Sequence, residues 1–346
     1  MRTRLQRLDG SSDGCFPVPD GPDGPTVYEH EDREMKTVSV VIPCYNVGEY
    51  LRDCLDSVMV QVPRPLEIIC VDDHSSDETL AILDDYEKRL PGWITVLRHS
   101  TNSGAPSSRN DGMRVARGDY IQFLDADDVL LPGKFMHQLQ LVEGEEQPML
   151  VAASFTRKRV NGTSIEHQIA QVQPLQALIN SGLGITSANL WPRKALLGIG
   201  GWDEKLGSSQ EYNLMFRLIK CGVGVAFDTE SKTIIRERVS GSITHKDPPG
   251  NCRRFIDLRV QILRYGRETS AGKAIEKAAL QVIFEWIHFL YRYDSEAAKT
   301  LYAEHIRGQY RPRYSKLLNW KFMVLYRLLG FETAEKIRVR LFSRSA

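Results

Sequence analysis

The chain of 346 residues lacks the two glycine-rich motifs that most often cradle nucleotide phosphates. No G-x-G-x-x-G follows the first apolar run, and no G-x-x-x-x-G-K-[ST] occurs. These absences argue against an ordinary dinucleotide-binding domain and against a P-loop NTPase. A nucleotide bound by this chain would therefore have to be held by carboxylates and a metal ion rather than by a glycine-rich loop.

Clustered cysteines and long apolar runs are missing as well. The six cysteines are widely spaced, without a C-x-x-C pair or a cluster with histidine, so we expect reduced thiols. We find no signal peptide and no run of 18 uncharged apolar residues, so we expect no segment that spans a membrane. Together these features predict a cytoplasmic protein, with peripheral attachment at the inner face of the membrane left open.

Charge and composition divide the chain into three predicted parts. Residues 1–36 carry a net charge of −3 and are rich in proline, glycine and acids, which predicts a disordered leader. Residues 37–249 carry a net charge of −6 and contain the sequence patterns of a folded body. Residues 250–346 carry a net charge of +10 and helical patterns, so we expect a basic helical region with a polyanionic partner.

Apolar strand patterns alternate with helical patterns in the first part of the body. The predicted strands lie at residues 38–42, 66–71, 93–97 and 119–124. A helical pattern occupies each interval between them, which gives the order β-α-β-α-β-α-β. This order predicts an α/β fold with a mostly parallel central sheet flanked by helices. Such sheets bind ligands just outside the carboxyl ends of their strands.

Carboxylates follow two of these strands directly. The second strand ends at Asp72 and Asp73, and the fourth ends in the Asp-Ala-Asp-Asp run at residues 125–128. Acids crowded this closely repel one another unless a cation lies between them, and their oxygens are the ligands that Mg²⁺ and Mn²⁺ prefer. An isolated run of this kind is more often a solvated acidic turn, so the interpretation depends on the motifs around it.

Four segments in order resemble the family 2 glycosyltransferases of the GT-A fold. They are residues 40–46 (VVIPCYN), 71–77 (VDDHSSD), 102–110 (NSGAPSSRN) and 123–128 (FLDADD). The resemblance extends over about residues 37–245. It implies an inverting transfer of a sugar from a nucleoside diphosphate donor, in most cases a UDP-sugar, to a hydroxyl acceptor. It also implies a divalent metal, Mn²⁺ or Mg²⁺, as cofactor.

The resemblance assigns the donor nucleotide to the first two motifs. Pro43 and Tyr45 would line the pocket for the base and ribose, with Tyr45 offering an aromatic face. Asp73 would accept a hydrogen bond from the base, and Asp72 would lie beside it. The chain departs from the family at His74, where glycine is usual; a positive φ there would be tolerable for histidine but would carry a cost.

The same resemblance makes Asp125 and Asp127 the D-x-D motif of the family. Asp127 would be the more direct metal ligand and Asp125 would lie nearer the ribose. A metal held there would neutralise the charge that develops on the diphosphate leaving group. Arg109, at the start of the helix after residues 102–104, would either add a fixed positive charge to the donor site or pair with an acid at the surface.

A later segment resembles the region that leads to the family's catalytic base. Residues 200–204 (GGWDE) precede a predicted helix in which the family usually has a Glu-Asp pair, and this chain has Gln210-Glu211. Glu211 is therefore the candidate general base for the acceptor hydroxyl. The alternative is a first-turn acid that stabilises the helix dipole, and the changed pair also allows a catalytically impaired homologue.

A loop near the end of the body resembles the segment that closes over the diphosphate in this family. Its candidates are Arg238 for the phosphates and His245 for a phosphate or the metal. A lone surface histidine is an equally acceptable interpretation of His245.

The basic C-terminal region contains two apolar patterns. Residues 275–290 predict a helix that packs most simply on the body. Residues 305–346 carry ten Lys or Arg and two Glu, interleaved with aromatic and aliphatic residues. A basic helix of this kind can lie in an anionic membrane interface, or it can face the core or form a homo-oligomer. No nucleic-acid-binding module accompanies the charge, so we expect no nucleic acid partner.

Three functions are compatible with these patterns. The favoured one is a metal-dependent inverting glycosyltransferase with a UDP-sugar donor and a glycan or glycolipid acceptor, in polysaccharide or glycolipid biosynthesis. The second is a non-catalytic scaffold that binds a sugar nucleotide. The third, a sugar-phosphate nucleotidyltransferase, would need a glycine-rich basic loop after the first strand, which residues 43–46 do not provide.

Overall fold

The computed structural model describes residues 35–238, 247–269 and 272–342. In chain order, the first elements are β1 (Val38–Cys44), α1 (Gly48–Met59), β2 (Glu67–Asp72), α2 (Thr79–Arg89), β3 (Ile94–Arg98), α3 (Ala105–Val115), β4 (Tyr120–Phe123) and β5 (Val129–Leu130). They are followed by α4 (Lys134–Gln140), β6 (Met149–Ala153), β7 (Phe155–Lys158), β8 (Ser164–His167), α5 (Pro174–Ile179), β9 (Trp191–Pro192), α6 (Arg193–Gly198), α7 (Gln210–Lys220), β10 (Gly224–Asp228) and β11 (Thr233–Arg236). The C-terminal helices are α8 (Pro248–Glu268), α9 (Gly272–Leu290), α10 (Ser295–His305) and α11 (Trp320–Phe342).

The central sheet of the described residues has the strand order β3-β2-β1-β4-β9. Its first four strands pair in parallel, and β9 pairs antiparallel with β4. β1 and β2 are buried along nearly their whole length, as expected for parallel strands that are covered on both faces. Val40 packs in one core cluster with α1 and α2, and its neighbour Val41 packs in another with α3. The predicted mostly parallel sheet flanked by helices is confirmed.

A second sheet lies beside the acidic run and has the order β5-β11-β7-β8. β5 follows residues 125–128 directly and pairs antiparallel with β11, with Ile234 opposite Val129. This pairing brings the residues at the end of β11 next to the acidic run, although more than 100 positions separate them in sequence. β7 and β8 pair antiparallel as a hairpin, with Phe155 opposite His167.

The C-terminal helices share their core with the body. α8 and α9 pack against each other, and α9 also packs on α5. Buried residues of both helices belong to the same hydrophobic cluster as Phe123 and Trp191 of the central sheet. α8 begins at Pro248, and its first turn is capped because the Asp247 carboxylate accepts a hydrogen bond from the Gly250 N–H at 3.0 Å.

Two expectations concern parts of the chain that the structure covers incompletely. The leader predicted at residues 1–36 lies outside the described residues except for its last two, of which Lys36 donates hydrogen bonds to the carbonyls of Val142 and Glu145. Among the helices of the described ranges, none is both long and apolar enough to cross a membrane.

Candidate active site

The candidate site lies where the carboxyl ends of β1, β2 and β4 meet. The Asp73 N–H donates to the Cys44 carbonyl at 2.8 Å, and the Leu124 N–H donates to the Val41 carbonyl at 3.0 Å. These backbone bonds continue the ladders of the sheet past the ends of the strands. They bring together the residues that follow the three strands, so the two acidic runs lie at one edge of the sheet, as the strand order requires.

The turns at this edge adopt left-handed backbone conformations. His74 has φ 65° and Asn46 has φ 50°. Asn46 is stabilised there because its side-chain oxygen accepts a hydrogen bond from the Ser76 N–H at 2.8 Å. His74 therefore occupies the conformation that the glycine usual in the family would adopt without strain. Tyr45 is 49% exposed beside this turn, so a face of its ring is open to a ligand.

Asp72 and Asp73 are both buried but differ in their partners. Asp73 accepts hydrogen bonds from the N–H groups of Ser103 and Gly104, each at 2.7 Å, and so fixes the loop before α3. Asp72 accepts one bond from the Ser75 N–H at 3.3 Å, and its Oδ1 is buried without a hydrogen-bond partner among the described residues. Asp73 therefore fixes the geometry of the turn before α3, and Asp72 lies buried beside it.

His99 is a member of this network that the sequence analysis missed. Its Nδ1 lies 2.8 Å from Asp73 Oδ1, and its Nε2 lies 3.0 Å from Asp111 Oδ2. Both ring nitrogens can donate only when the imidazole is protonated. The signal was available, because His99 follows β3 directly and β3 is the neighbour of β2 in the sheet.

Arg109 is buried and pairs with the first acid of the D-x-D motif. Its Nη2 lies 2.6 Å from Asp125 Oδ1, and its guanidinium lies 4.7 Å from the centre of the Trp202 ring. Arg109 was expected either to add a positive charge to the donor site or to pair with an acid. It pairs with an acid, Asp125, that is itself a candidate site residue. Asn110, the next residue, exchanges hydrogen bonds with the Trp202 backbone at 2.8 and 2.9 Å. This start of α3 joins the D-x-D motif to the segment that precedes α7.

Asp127, the second acid of the D-x-D motif, lies opposite Arg238. Arg238 Nε is 2.6 Å from Asp127 Oδ2, and this is a charge pairing rather than an aligned hydrogen bond, since that N–H makes no hydrogen bond to any described residue. Burial and the neighbouring Asp125 raise the pKa of Asp127, and the two nearby arginines oppose that shift. The paired cation therefore offsets only part of the unfavourable burial of this carboxylate.

Two further residues that the sequence analysis missed hold the acidic run in place. The Ser187 hydroxyl donates to Asp128 Oδ2 at 2.6 Å and accepts from the Asp125 N–H at 3.0 Å. Arg236 donates from Nε to the Asp127 carbonyl and from Nη1 to Asp53 at 2.8 Å. Burial, together with Asp125 and Asp127, raises the pKa of Asp128 well above its usual range. Asp128 is therefore an internal support of the run rather than a surface group.

Glu211 lies in the first turn of α7, where the sequence placed the base. Burial raises its pKa; the charges of Arg109 and Arg259 lower it, and that of Asp125 raises it further. The neighbouring Tyr212 fixes the turn, because its hydroxyl donates to the Ser181 and Gly184 carbonyls at 3.0 and 3.2 Å. Glu211 therefore shares the electrostatic environment of the Arg109–Asp125 pair.

The donor set fits a divalent cation supported mainly by substrate. Asp125 and Asp127 supply hard carboxylate oxygens, and a cation would relieve the repulsion that raises the pKa of Asp127. No group of three His, Cys, Asp or Glu side chains within the described ranges is arranged to hold a metal by itself. The third predicted ligand, His245, lies outside the described residues. Mg²⁺ and Mn²⁺ commonly use one or two protein carboxylates and complete their shell with phosphate oxygens and water.

Sequence comparison relates this site to known transferases. Residues 39–198 match the model of glycosyl transferase family 2. A poly(ribitol-phosphate) beta-glucosyltransferase of Bacillus spizizenii is 44% identical over 96 residues, which is 27% of this chain and 15% of that protein. The uncharacterized glycosyltransferase EpsJ of Bacillus subtilis is 40% identical over 113 residues, 33% of this chain and 31% of that protein. The uncharacterized glycosyltransferase RP339 of Rickettsia prowazekii is 27% identical over 233 residues, 64% of this chain and 70% of that protein.

The fold has relatives among solved structures. The crystal structure of residues 1–349 of S. aureus TarS in complex with UDP-GlcNAc superposes with a TM-score of 0.57 and 18% identity, over 77% of this chain and 75% of that one. The same TarS fragment in complex with UDP gives 0.52 and 18%, over 81% and 94%. At this identity the similarity concerns the fold alone. With the match of residues 39–198 to the family model and the ordered motifs at the sheet edge, it leads to one conclusion: this part of the chain is similar to glycosyl transferase family 2, and the fold is GT-A.

Proposed function

We propose that the chain is an inverting glycosyltransferase that moves a sugar from a UDP-sugar to a hydroxyl group of a glycan or glycolipid. The observation that carries the proposal is the position of Glu211 in the environment of the Arg109–Asp125 pair, with Asp127 next in the same motif. Direct displacement needs a base on the acceptor side and stabilisation of the leaving diphosphate on the donor side. These residues supply both.

In the proposed reaction, Glu211 removes the proton of the acceptor hydroxyl. The hydroxyl oxygen attacks the anomeric carbon, the bond from that carbon to the diphosphate oxygen breaks, and its electron pair leaves with UDP. Because burial raises the pKa of Glu211, its carboxylate is a stronger base than an exposed glutamate. Inversion at the anomeric carbon follows from the single displacement.

The donor would be held by residues of the turns at the sheet edge. Tyr45 offers an exposed ring for the base or ribose. The Asp73 carboxylate would accept the hydrogen bond from uracil N3–H. Arg238, which is already paired with Asp127, is placed to contact the diphosphate. That TarS, a structural neighbour, was crystallised with UDP-GlcNAc and with UDP supports this choice of nucleotide.

A divalent metal is part of the proposal. Asp127, with Asp125 beside it, would hold it. When bound, Mn²⁺ or Mg²⁺ would act as a Lewis acid that stabilises negative charge on the diphosphate. Arg109 orients Asp125 through their ion pair at 2.6 Å, so this carboxylate has a fixed position before a cation and the donor bind.

The acceptor class follows from the relatives rather than from the pocket. One relative acts, by its name, on poly(ribitol-phosphate), a polymer with repeated hydroxyl groups. An acceptor of this chemical kind, a polyol or sugar polymer of the cell surface or its lipid-linked precursor, is the one we propose. If the acceptor is lipid-linked, the protein would work at a membrane surface.

The test is calorimetric titration of UDP into the protein with and without Mn²⁺, for the wild type, Asp127→Ala and Asp85→Ala. Asp85 is an exposed acid in ion pairs with Arg52 and Arg89 and serves as the matched control. We expect metal-dependent binding in the wild type and the control, and a loss of at least about tenfold in Asp127→Ala. Binding that is indifferent to the metal and to Asp127 would overturn the proposed donor site.

A scaffold function remains the second candidate because the usual Glu-Asp pair is replaced by Gln210-Glu211. It predicts metal-dependent UDP binding without hydrolysis or transfer of any sugar from UDP-glucose, UDP-GlcNAc or related donors. Slow hydrolysis of a donor by the wild type, detected as released UDP, would exclude it.

A further inference from the structure

The first part of α11 carries large apolar side chains on its outer surface. Trp320 is 64% exposed, Val324 46% and Leu328 75%. They are four residues apart and so lie on one side of the helix. Leu317 and Tyr314, just before the helix, are 61% and 67% exposed. We call these five residues the apolar stripe.

The position of α11 does not depend on this stripe. The opposite side of the helix packs inward, where Phe322 and Met323 are buried. The Phe322 ring lies 4.3 Å from His288, and the hydroxyl groups of Tyr326 and Tyr302 are 3.1 Å apart. A helix that packs with one face on a core normally turns a polar face to water. The apolar stripe is therefore an additional feature that the fold does not require.

The charge around the stripe has one sign. Residues 306–329 contain six Arg or Lys and no Asp or Glu. The members of this set that flank the stripe are all exposed: Arg311, Arg313, Lys316, Lys321 and Arg327. Lys321 Nζ lies 5.9 Å from the centre of the Trp320 ring. No acid within the segment neutralises this charge, so the surface is complementary to a polyanion.

We propose that the apolar stripe and its flanking basic residues dock on the interfacial region of a membrane that contains anionic lipids. The stripe supplies the apolar face that enters the boundary of headgroups and acyl chains, and Tyr314 and Trp320 are residues suited to that depth. The basic side chains meet the lipid phosphates. A second copy of the chain is a poorer occupant of the same surface, because two surfaces with five flanking cations each would repel one another.

This inference stands independently of the proposed transfer reaction. It depends on exposure and charge in α11 and on none of the residues at the sheet edge. If the donor-site experiment fails and vesicle binding succeeds, the chain is a membrane-associated protein of another activity. If the reverse occurs, the transferase acts without this attachment.

The test is co-sedimentation of the full chain with vesicles of phosphatidylcholine, with and without phosphatidylglycerol, at low and high salt. We expect binding only to the vesicles that contain phosphatidylglycerol, and weaker binding at high salt because salt screens the charges. Equal binding to both vesicle types, or no binding to either, would overturn the proposal.

Two sets of variants locate the surface. The double variant Trp320→Ser/Leu328→Ser should reduce vesicle affinity at least about tenfold. Val160→Ser/Val172→Ser, which removes two exposed apolar side chains elsewhere, should leave it unchanged. The triple variant Lys316→Gln/Lys321→Gln/Arg327→Gln should also reduce affinity at least about tenfold and flatten the salt dependence. Its control, Lys88→Gln/Lys194→Gln/Lys220→Gln, removes three exposed cations elsewhere and should behave as the wild type.

Circular dichroism and thermal unfolding, measured in parallel, report whether each variant keeps the fold. Variants that keep the wild-type fold and full vesicle affinity would contradict the proposed surface. Wild-type dimers in analytical ultracentrifugation that dissociate in Trp320→Ser/Leu328→Ser, without any vesicle binding by the wild type, would assign the stripe to a second copy instead.

Discussion

The edge of the central sheet and the first part of α11 differ in how their charged side chains are exposed and paired. At the sheet edge the charges are at least partly buried and are matched: Asp125 pairs with Arg109 at 2.6 Å, and Asp127 pairs with Arg238 at 2.6 Å. In residues 306–329 the charges are exposed, have one sign and meet no acid of their own segment. Matched buried charge holds a fixed geometry, which chemistry needs, whereas unmatched exposed charge is available to a partner outside the chain.

One cation of the C-terminal region is also buried, although its hydrogen-bond partners are neutral groups. Arg259 of α8 is fully buried, and it donates hydrogen bonds to the Ser181 hydroxyl at 2.7 Å and to the Ile179 carbonyl at 3.3 Å at the end of α5. Its guanidinium lies 3.5 Å from the centre of the Phe255 ring, and its charge acts on Glu211. The C-terminal region therefore contributes to the candidate site as well as to the outer surface.

The largest effect we expect comes from removing the base. Glu211→Gln keeps the size of the side chain but cannot accept the proton, so kcat should fall by at least about 10²-fold while the affinity for UDP and Mn²⁺ stays within about twofold. The measurement is release of UDP in the presence of acceptor, combined with calorimetry. Glu143→Gln, an exposed glutamate of the body, is the control. A variant with wild-type kcat would show that Glu211 is only a first-turn acid of α7.

Much of the sheet edge was predictable from the sequence because local patterns determine it. Apolar runs gave the strands, strand order gave a common edge, and so Asp72, Asp73 and the run at residues 125–128 could be placed together. His99 follows from the same rule applied to β3. Ser187 and Arg236 could not be found in this way, because they reach the acidic run from about 60 and 110 positions away through tertiary packing.

The C-terminal region was less predictable for a related reason. Its sequence has apolar residues on both sides of α11, and composition alone cannot tell which side packs on the body. The structure assigns Phe322 and Met323 to the core and Trp320 and Leu328 to the surface. The burial of Arg259 could not be predicted from the sequence either, since an arginine in a basic helix is expected to face water.

An intermediate effect should follow from Arg259→Gln. Arg259 lowers the pKa of Glu211, so removing its charge makes that carboxyl harder to ionise and raises its pKa. Since the base must be ionised, the acid limb of the kcat/KM profile should move to higher pH, by up to about one unit. Burial lowers the pKa of Arg259 to about 10, so the wild-type side chain is still charged at neutral pH.

The pH profile separates this electrostatic effect from a structural one. If Arg259→Gln acted only through the loss of its hydrogen bonds at the end of α5, stability or kcat/KM would fall at every pH. The acid limb of the profile would then stay in place. Arg267→Gln removes a cation of the same helix that pairs with Glu276 at 2.6 Å, and it should leave the limb in place. An unmoved limb in Arg259→Gln would mean that the C-terminal helices support the site only by packing.

The smallest effect we expect concerns the turn at His74, where the substitution changes backbone strain rather than a charge. Because His74 has φ 65°, His74→Gly should relieve strain and raise the free energy of unfolding by about 0.5–1 kcal/mol, measured by urea denaturation. Asn46→Gly is the matched test, since Asn46 has φ 50° but its side chain bonds to the Ser76 N–H, so this change should give no gain. A gain at both positions would show that the edge is strained as a whole. A gain at His74 alone, with UDP affinity unchanged, would show that the strain is local and separate from the matched charges around it.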